Sequence, residues 1–252
     1  MPKLGLSTGL SRSGIVTPGI VTDNLVMKHM YPAGAVQPLS DGALYLSAVD
    51  NDEAPFTAPD HASLDFGEGD FSICFWMMQP SVSDNNGDKI CMKKQTEANN
   101  EYAGFTIQVN GSGVRSTFYD TDSGAHLDVA NVFANDNKWE HFAFVYDRNV
   151  KLTVYVDGVE KGTDTALATH TDTIDNARTF DIGYYNDENY LKAYMCNFGV
   201  WKGEALTQPQ VKSIMWKRYE DLVASETNNL SAWWAFSDNA NDSTGTNNGT
   251  LA

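Results

Sequence analysis

Three short clusters carry the ligand chemistry of a hard cation: Asp50-Asn51-Asp52-Glu53, Asp120-Thr121-Asp122 and Asp187-Glu188-Asn189. Carboxylates and amide carbonyls gathered on loops are what calcium takes. None of the clusters has EF-hand spacing, because the fifth and sixth positions counted from Asp120 are Gly124 and Ala125. The same residues are ordinary turn formers, so bound calcium is a secondary expectation and no other cofactor or metal is implied. Tyr184, Tyr185 and Tyr190 form the densest local aromatic group, with Tyr194, Tyr119 and Trp201 as further candidates. An exposed ring face stacks on the apolar face of a pyranose, so these residues are candidate glycan contacts. Gly5-Leu6-Ser7-Thr8-Gly9 matches the nucleophile-elbow pattern, but no buried strand precedes it and no amphipathic helix follows. The five histidines are scattered without ligand spacing, and His141, inside a strand, reads as a hydrogen-bonded structural residue.

The elements that must position these groups are β-strands. Phe71, Ile73, Phe75 and Met77 alternate along one face of a single run. Phe105-Thr106-Ile107-Gln108-Val109 alternates cleanly into the turn Asn110-Gly111, and residues 139–146 lead into a turn at Asp147-Arg148-Asn149. Leu152-Thr153-Val154-Tyr155-Val156 runs into Asp157-Gly158, a hairpin signal because both residues tolerate positive φ. Residues 180–183, 193–201 and 230–236 complete the set. Local alternation of this kind predicts two antiparallel sheets packed face to face. One helix is predicted over 208–223. It opens on the capping box Thr207-Gln208-Pro209-Gln210, with Val211, Ile214, Met215, Arg218 and Leu222 on one face.

The predicted fold is therefore all-β, a two-sheet antiparallel jelly-roll sandwich with an extended N-terminal arm and one short C-terminal helix. Three regions follow: an anchoring arm over 1–42, the sandwich over 43–203, and a helix, final strand and polar tail over 204–252 packed on the sandwich. The arm alternates Gly, Ser, Thr and Pro with small apolar residues and cannot bury enough surface alone to offset its ordering entropy. Leu10, Ile15, Val16, Ile20, Val21, Leu25, Val26 and Met27 are too apolar for a solvated tail, so they read as anchors that order against a neighbour.

Charge removes several function classes. Lys and Arg number 17 against 33 Asp and Glu, a net charge of −16. Binding to nucleic acid relies on cations that displace counterions, and docking on an anionic membrane needs them as well, so neither partner is expected. No run approaches the ~18 apolar residues of a membrane span. The N-terminus has no apolar core or cleavage site of a secretory signal. Cys74, Cys91 and Cys196 are odd in number and two lie in apolar strands, which fits buried reduced thiols in a protein made in a cytoplasm.

The order of these pieces over about residues 42–216 resembles the laminin-G-like (LamG) group of the concanavalin A-like lectin/glucanase jelly rolls. It begins with Asp41-Gly42-Ala43-Leu44-Tyr45-Leu46 and Leu64-Asp65-Phe66-Gly67-Glu68-Gly69-Asp70-Phe71 running into Phe75-Trp76. It continues through Trp139-Glu140-His141-Phe142 and Val154-Tyr155-Val156-Asp157-Gly158 to Phe198-Gly199-Val200-Trp201. The resemblance implies a turn at Asp157-Gly158, inter-sheet anchors at Trp76 and Trp139, and a loop residue at Asp70. The glucanase branch uses paired carboxylates in an E-x-D-x-x-E strand motif, which Glu68-Gly69-Asp70 matches only until Ile73, so no hydrolase and no catalytic residue is expected. The tail phrase Leu230-Ser231-Ala232-Trp233-Trp234-Ala235-Phe236, with Asp242-Ser243-Thr244-Gly245, resembles the opening of a LamG module although it follows one here.

The arm around Ser13-Gly14-Ile15-Val16-Thr17-Pro18-Gly19-Ile20-Val21 is similar to arms in structural proteins of marine tailed bacteriophages. That similarity implies a non-enzymatic virion protein made in the host cytoplasm and carried on the virion surface. The implied role is a capsid (head) decoration protein whose arm binds the major capsid protein or another virion protein, or further copies of itself. The alternative is a carbohydrate-binding adhesion module, or a tail-fibre or knob component, that attaches to host surface polysaccharide.

Overall fold

A computed structural model of the chain describes residues 38–46, 55–80, 87–94, 103–120, 124–130, 132, 137–183, 191–237 and 239–251. The eight arm anchors, the nucleophile-elbow match, Tyr184, Tyr185 and Tyr190 lie outside the described residues. So do most residues of the Asp/Asn clusters, Asp120 excepted.

The described strands, numbered along the chain, form two antiparallel sheets of seven strands. In sheet A the order is β1 (Leu44–Leu46), β12 (Ala193–Lys202), β3 (Phe71–Met78), β8 (Trp139–Asp147), β9 (Lys151–Val156) and β10 (Val159–Asp164). β13 (Leu230–Trp234) shares the outer edge of β12 with β1. In sheet B the order is β14 (Thr250–Leu251), β2 (Phe56–Ala58), β11 (Phe180–Ile182), β4 (Lys89–Lys94), β5 (Gly104–Asn110), β6 (Gly113–Tyr119) and β7 (Gly124–Val129). This is the expected jelly-roll sandwich. Asp157 and Gly158, at φ 50° and 70°, close the β9–β10 hairpin.

The core lies between the sheets. Phe71, Ile73, Phe75 and Met77 point into it as the alternation predicts. Phe71 stacks between Phe66 at 4.2 Å and Tyr146 at 4.0 Å, and Phe75 stacks on Phe198 at 5.2 Å. Each such buried side chain contributes about 1.5–3 kcal/mol.

Sheet A is covered on its outer face too. Cys74, Ala143, Val145 and Trp201 form a second apolar layer there with Val211, Ile214 and Trp233. Trp76 belongs to this outer side, with Cys196 and Met215, and Trp139 packs beside it. Both were expected as inter-sheet anchors. Strand alternation puts them on the other face from Phe75 and Met77.

The helix is shorter than its sequence predicts. α1 runs Gln208–Ile214, followed by a 3-10 turn at Tyr219–Asp221 and a short α2 at Ala224–Thr227. Gln210 Oε1 accepts from Thr207 N at 2.8 Å and from Thr207 Oγ1 at 2.6 Å, so the predicted start holds. The end is set by Trp76, whose Nε1 donates to the Met215 carbonyl at 2.8 Å. In a continuing helix that carbonyl would accept from residue 219 instead. Arg218 turns instead to Asp41 and Glu220, while Leu222 still packs against the cluster of Val211 and Ile214.

The tail opens on the expected strand, β13, which completes sheet A, but its end is not all loop, because the last two strand residues pair with β2 in sheet B. No helix among the described residues is long and apolar enough to cross a membrane.

Candidate functional site

At one end of sheet A the outer face is left partly exposed by the described residues. Tyr45 is paired with Tyr194, Tyr194 with Met78, and Met78 with Trp139, one register row across β1, β12, β3 and β8. Their strand neighbours Leu46, Ala193 and Met77 are buried in the core, so all four point outward. The row is three strand spacings long, about 15 Å. Tyr45 is 48% exposed and its ring lies 4.6 Å from that of Tyr194. The next row inward, Cys196, Trp76 and His141, is buried. Trp216, 49% exposed, lies against Trp76 at 5.6 Å, at the C-terminal side of α1. The result is a partly exposed strip of three aromatic rings and a thioether, with Trp216 as a fourth ring near it.

The other sequence candidates fall as follows. Tyr194 joins the strip. Trp201 does not, being wholly buried with its Nε1 donating to the Glu226 carbonyl at 2.7 Å. Tyr119 lies on the outer face of sheet B under Lys94 Nζ, 4.2 Å from the ring centroid. His141 is buried and packs edge-on to Trp76, a structural position, and its Nδ1 has no hydrogen-bond partner. Burial pushes its pKa down to about 3, so the imidazole is neutral at physiological pH.

Asp70 and Asp120, described carboxylates near the expected glucanase and calcium motifs, are occupied structurally. Asp70 Oδ1 accepts from Arg148 N at 2.8 Å, as a loop residue should, and Glu68 sits exposed in the same loop. Arg148 lies beneath these loops, donating to the carbonyls of Gly67, His170 and Asp172. Asp120, the described member of its cluster, is buried with its carboxylate 3.2 Å from His170 Nδ1. Among the described residues no group of three His, Cys, Asp or Glu side chains is placed to hold a metal ion.

Tyr45, Trp139 and Trp216 were not singled out as glycan contacts from sequence. The alternation of Leu44, Tyr45 and Leu46 signals an outward tyrosine, but the strip exists only through the pairing of four strands far apart in the chain.

The comparisons agree with this architecture. A comparison with curated proteins gives no match. Among solved structures, a candidate carbohydrate-binding protein of Bacteroides ovatus ATCC 8483 superposes with a TM-score of 0.59 at 18% identity, over 82% of this chain and 57% of its own. The binding domain of Paraclostridial Mosquitocidal Protein 1 gives 0.52 at 15% identity, over 69% of this chain and 46% of its own. The binding domain of botulinum neurotoxin serotype G gives 0.52 at 19% identity, over 64% and 39%. This chain thus spans from under half to somewhat over half of each, and at such identities the likeness is one of fold. The family model Laminin_G_3 matches residues 50–212. That match covers most of the chain and the strands β2 to β12, and the protein belongs to this family of the concanavalin A-like lectin/glucanases superfamily.

Proposed function

We propose that this chain is a non-enzymatic binding module that engages a glycan through the aromatic strip on the outer face of sheet A. The observation that carries the reading is the register row Tyr45–Tyr194–Met78–Trp139, partly exposed beside the part of that face that α1 covers. Rings with a hydroxyl or an indole N–H offer a pyranose both a stacking face and a hydrogen-bond partner. The binding domains among its structural neighbours fit this reading. Tyr184, Tyr185 and Tyr190 remain part of the proposal as glycan contacts.

The test is binding of the full chain to an array of bacterial surface polysaccharides. Tyr194→Ala and Trp216→Ala should each weaken binding about tenfold, the loss of about 1.4 kcal/mol that an anchoring aromatic carries. No binding to any glycan, or binding indifferent to both substitutions, overturns the reading.

The finer proposal is that the module is displayed on a bacteriophage virion, most simply as a head decoration protein. The arm anchors would hold it to the major capsid protein or another virion protein. The resemblance of the arm and the trailing phrase supports this. Quantitative mass spectrometry of purified particles tests it: hundreds of copies indicate the head, a few to a few dozen the tail, and absence refutes it. Deleting residues 2–28 should leave a folded sandwich that no longer binds the particle.

A further inference from the structure

A cleft opens near sheet A beside the bulge of β12. Its volume is about 220 Å³ and its lining includes Asp41, Asn197, Arg218, Glu220, Ser237 and Ser243. Its walls come from four segments tied together by backbone chemistry. β12 bulges between Cys196 and Gly199, and Asn197 sits at φ 49° in that bulge. From there Asn197 donates through its side chain to the Leu39 carbonyl at 2.8 Å and through its backbone to the Ala235 carbonyl at 3.3 Å. Gly42 lies so close to Ser237 that a Cβ would collide with the Ser237 backbone.

Its electrostatics are specific. Arg218 reaches Asp41 at 3.0 Å through Nη2 and Glu220 at 3.7 Å through Nη1. Both carboxylates remain mostly exposed, at 66% and 64%, so their other lone pairs are available to a ligand. The Arg218 Nε is buried with no hydrogen-bond partner. A guanidinium between two open carboxylates pairs donors with acceptors a short distance apart. Vicinal hydroxyls match that pattern, each donating to a carboxylate while accepting from a neighbouring donor, and such bonds are charge-assisted. Two carboxylates against one guanidinium leave the cleft at −1 within a chain of net charge −16, which disfavours an anionic ligand. The volume is below the ~300–1,000 Å³ of pockets for drug-sized ligands and suits a single sugar ring.

Asp41 lies four residues before Tyr45, about 13 Å of extended chain, and Arg218 lies two residues after Trp216. Between them Ala43 packs with Trp76, Cys196 and Met215. We infer that this cleft is a subsite for one neutral, hydroxyl-rich sugar unit of the glycan whose other units lie on the aromatic strip. The inference rests on the glycan reading and adds the ligand class to it.

Saturation-transfer NMR tests it on the full chain. The probes are the methyl glycosides of glucose, galactose and mannose, N-acetylglucosamine, glucuronic acid and N-acetylneuraminic acid. Ser243 is exposed at the cleft wall, so Ser243→Phe fills the cleft while leaving the fold intact. At least one neutral sugar should bind, lose its signal in Ser243→Phe, keep it in Tyr194→Ala, and bind about tenfold more weakly to Glu220→Gln. A preference for either acidic sugar overturns the ligand class. Binding that survives Ser243→Phe overturns the site, and so does binding of array polysaccharides with none of these sugars. In both of those cases the glycan reading stands. Failure of the array and of every sugar together refutes the glycan reading itself.

Discussion

Replacing Asp242 by Asn should destabilise the domain almost as much as replacing it by Ala. Asp242 is 4% exposed, and its carboxylate gathers the tail around β13. Oδ1 accepts from Trp233 N at 2.8 Å and Thr244 N at 2.9 Å. Oδ2 accepts from Thr244 Oγ1 at 2.6 Å, Thr246 N at 3.2 Å and Asn247 N at 2.8 Å. The bonds from Trp233 and Asn247 are buried, so Ala leaves two buried donors unmatched at about 1–3 kcal/mol each, about 4 kcal/mol in all. Asn retains one oxygen for Trp233 and Thr244, but its NH₂ then faces the N–H groups of Thr246 and Asn247, donor against donor. A loss of about 3 kcal/mol follows, or roughly 6–12 °C in Tm for a domain of this size. Urea unfolding followed by tryptophan fluorescence reads this, since Trp233 and Trp234 flank the site and Trp234 Nε1 donates to the Asn247 carbonyl at 2.8 Å. Ser243→Ala, next to it but exposed, should stay within about 0.5 kcal/mol of the parent. If Asp242→Asn comes within about 1 kcal/mol of the parent at unchanged m, the carboxylate does not organise the tail.

Other consequences concern buried ionisable groups. Burial raises the Asp88 carboxyl from 3.8 to about 6, against the pull of Lys89 and Lys192. The folded state then binds this proton more tightly than the unfolded chain, so the group costs stability as pH rises from about 4 through 6. Asp88→Asn should gain about 1–2 kcal/mol at pH 7, reduced from full conversion of the shift by solvent screening, and nothing below about pH 4; pH-dependent urea midpoints check it. Cys74, Cys91 and Cys196 are buried free thiols whose pKa values burial raises, that of Cys196 to about 12. An aromatic disulfide reagent should therefore label them only as fast as the protein opens, and labelling in the native state would refute the burial. Burial raises the pKa of Glu226, but hydrogen bonds from Lys217, Ser213 and Val223 N outweigh it and hold the carboxyl below its usual value. Glu226→Ala strands Lys217 and should cost about 2–4 kcal/mol in thermal unfolding.

Alternation of side chains along the backbone is a local property. Phe71, Ile73, Phe75 and Met77, the strands around Phe105 and Val154, and the turn at Asp157-Gly158 were therefore legible from sequence, and with them the sandwich. The helix start was legible for the same reason, because Thr207 and Gln210 act on each other within one turn. Its end was not. The group that stops it, Trp76 Nε1, lies 139 residues away.

The same distance hid the outward side of sheet A. Nothing in the run Phe75-Trp76-Met77 says that α1 will cover Trp76 on the face away from the core. The tail phrase was recognisable as strand and loop, but its role in both sheets depends on the Asp242 carboxylate meeting donors on either side of it. For the candidate sites the division is sharper. Sequence identified aromatic residues and turn-forming acids, whose types alone imply stacking and hydrogen bonding. Tyr45, Tyr194, Met78 and Trp139 become one strip only by strand register, and Asp41, Arg218 and Glu220 one cleft only by a bulge and two chain reversals. Composition determines what chemistry a chain can do. Which groups share a surface depends on long-range pairing, and no local pattern encodes it.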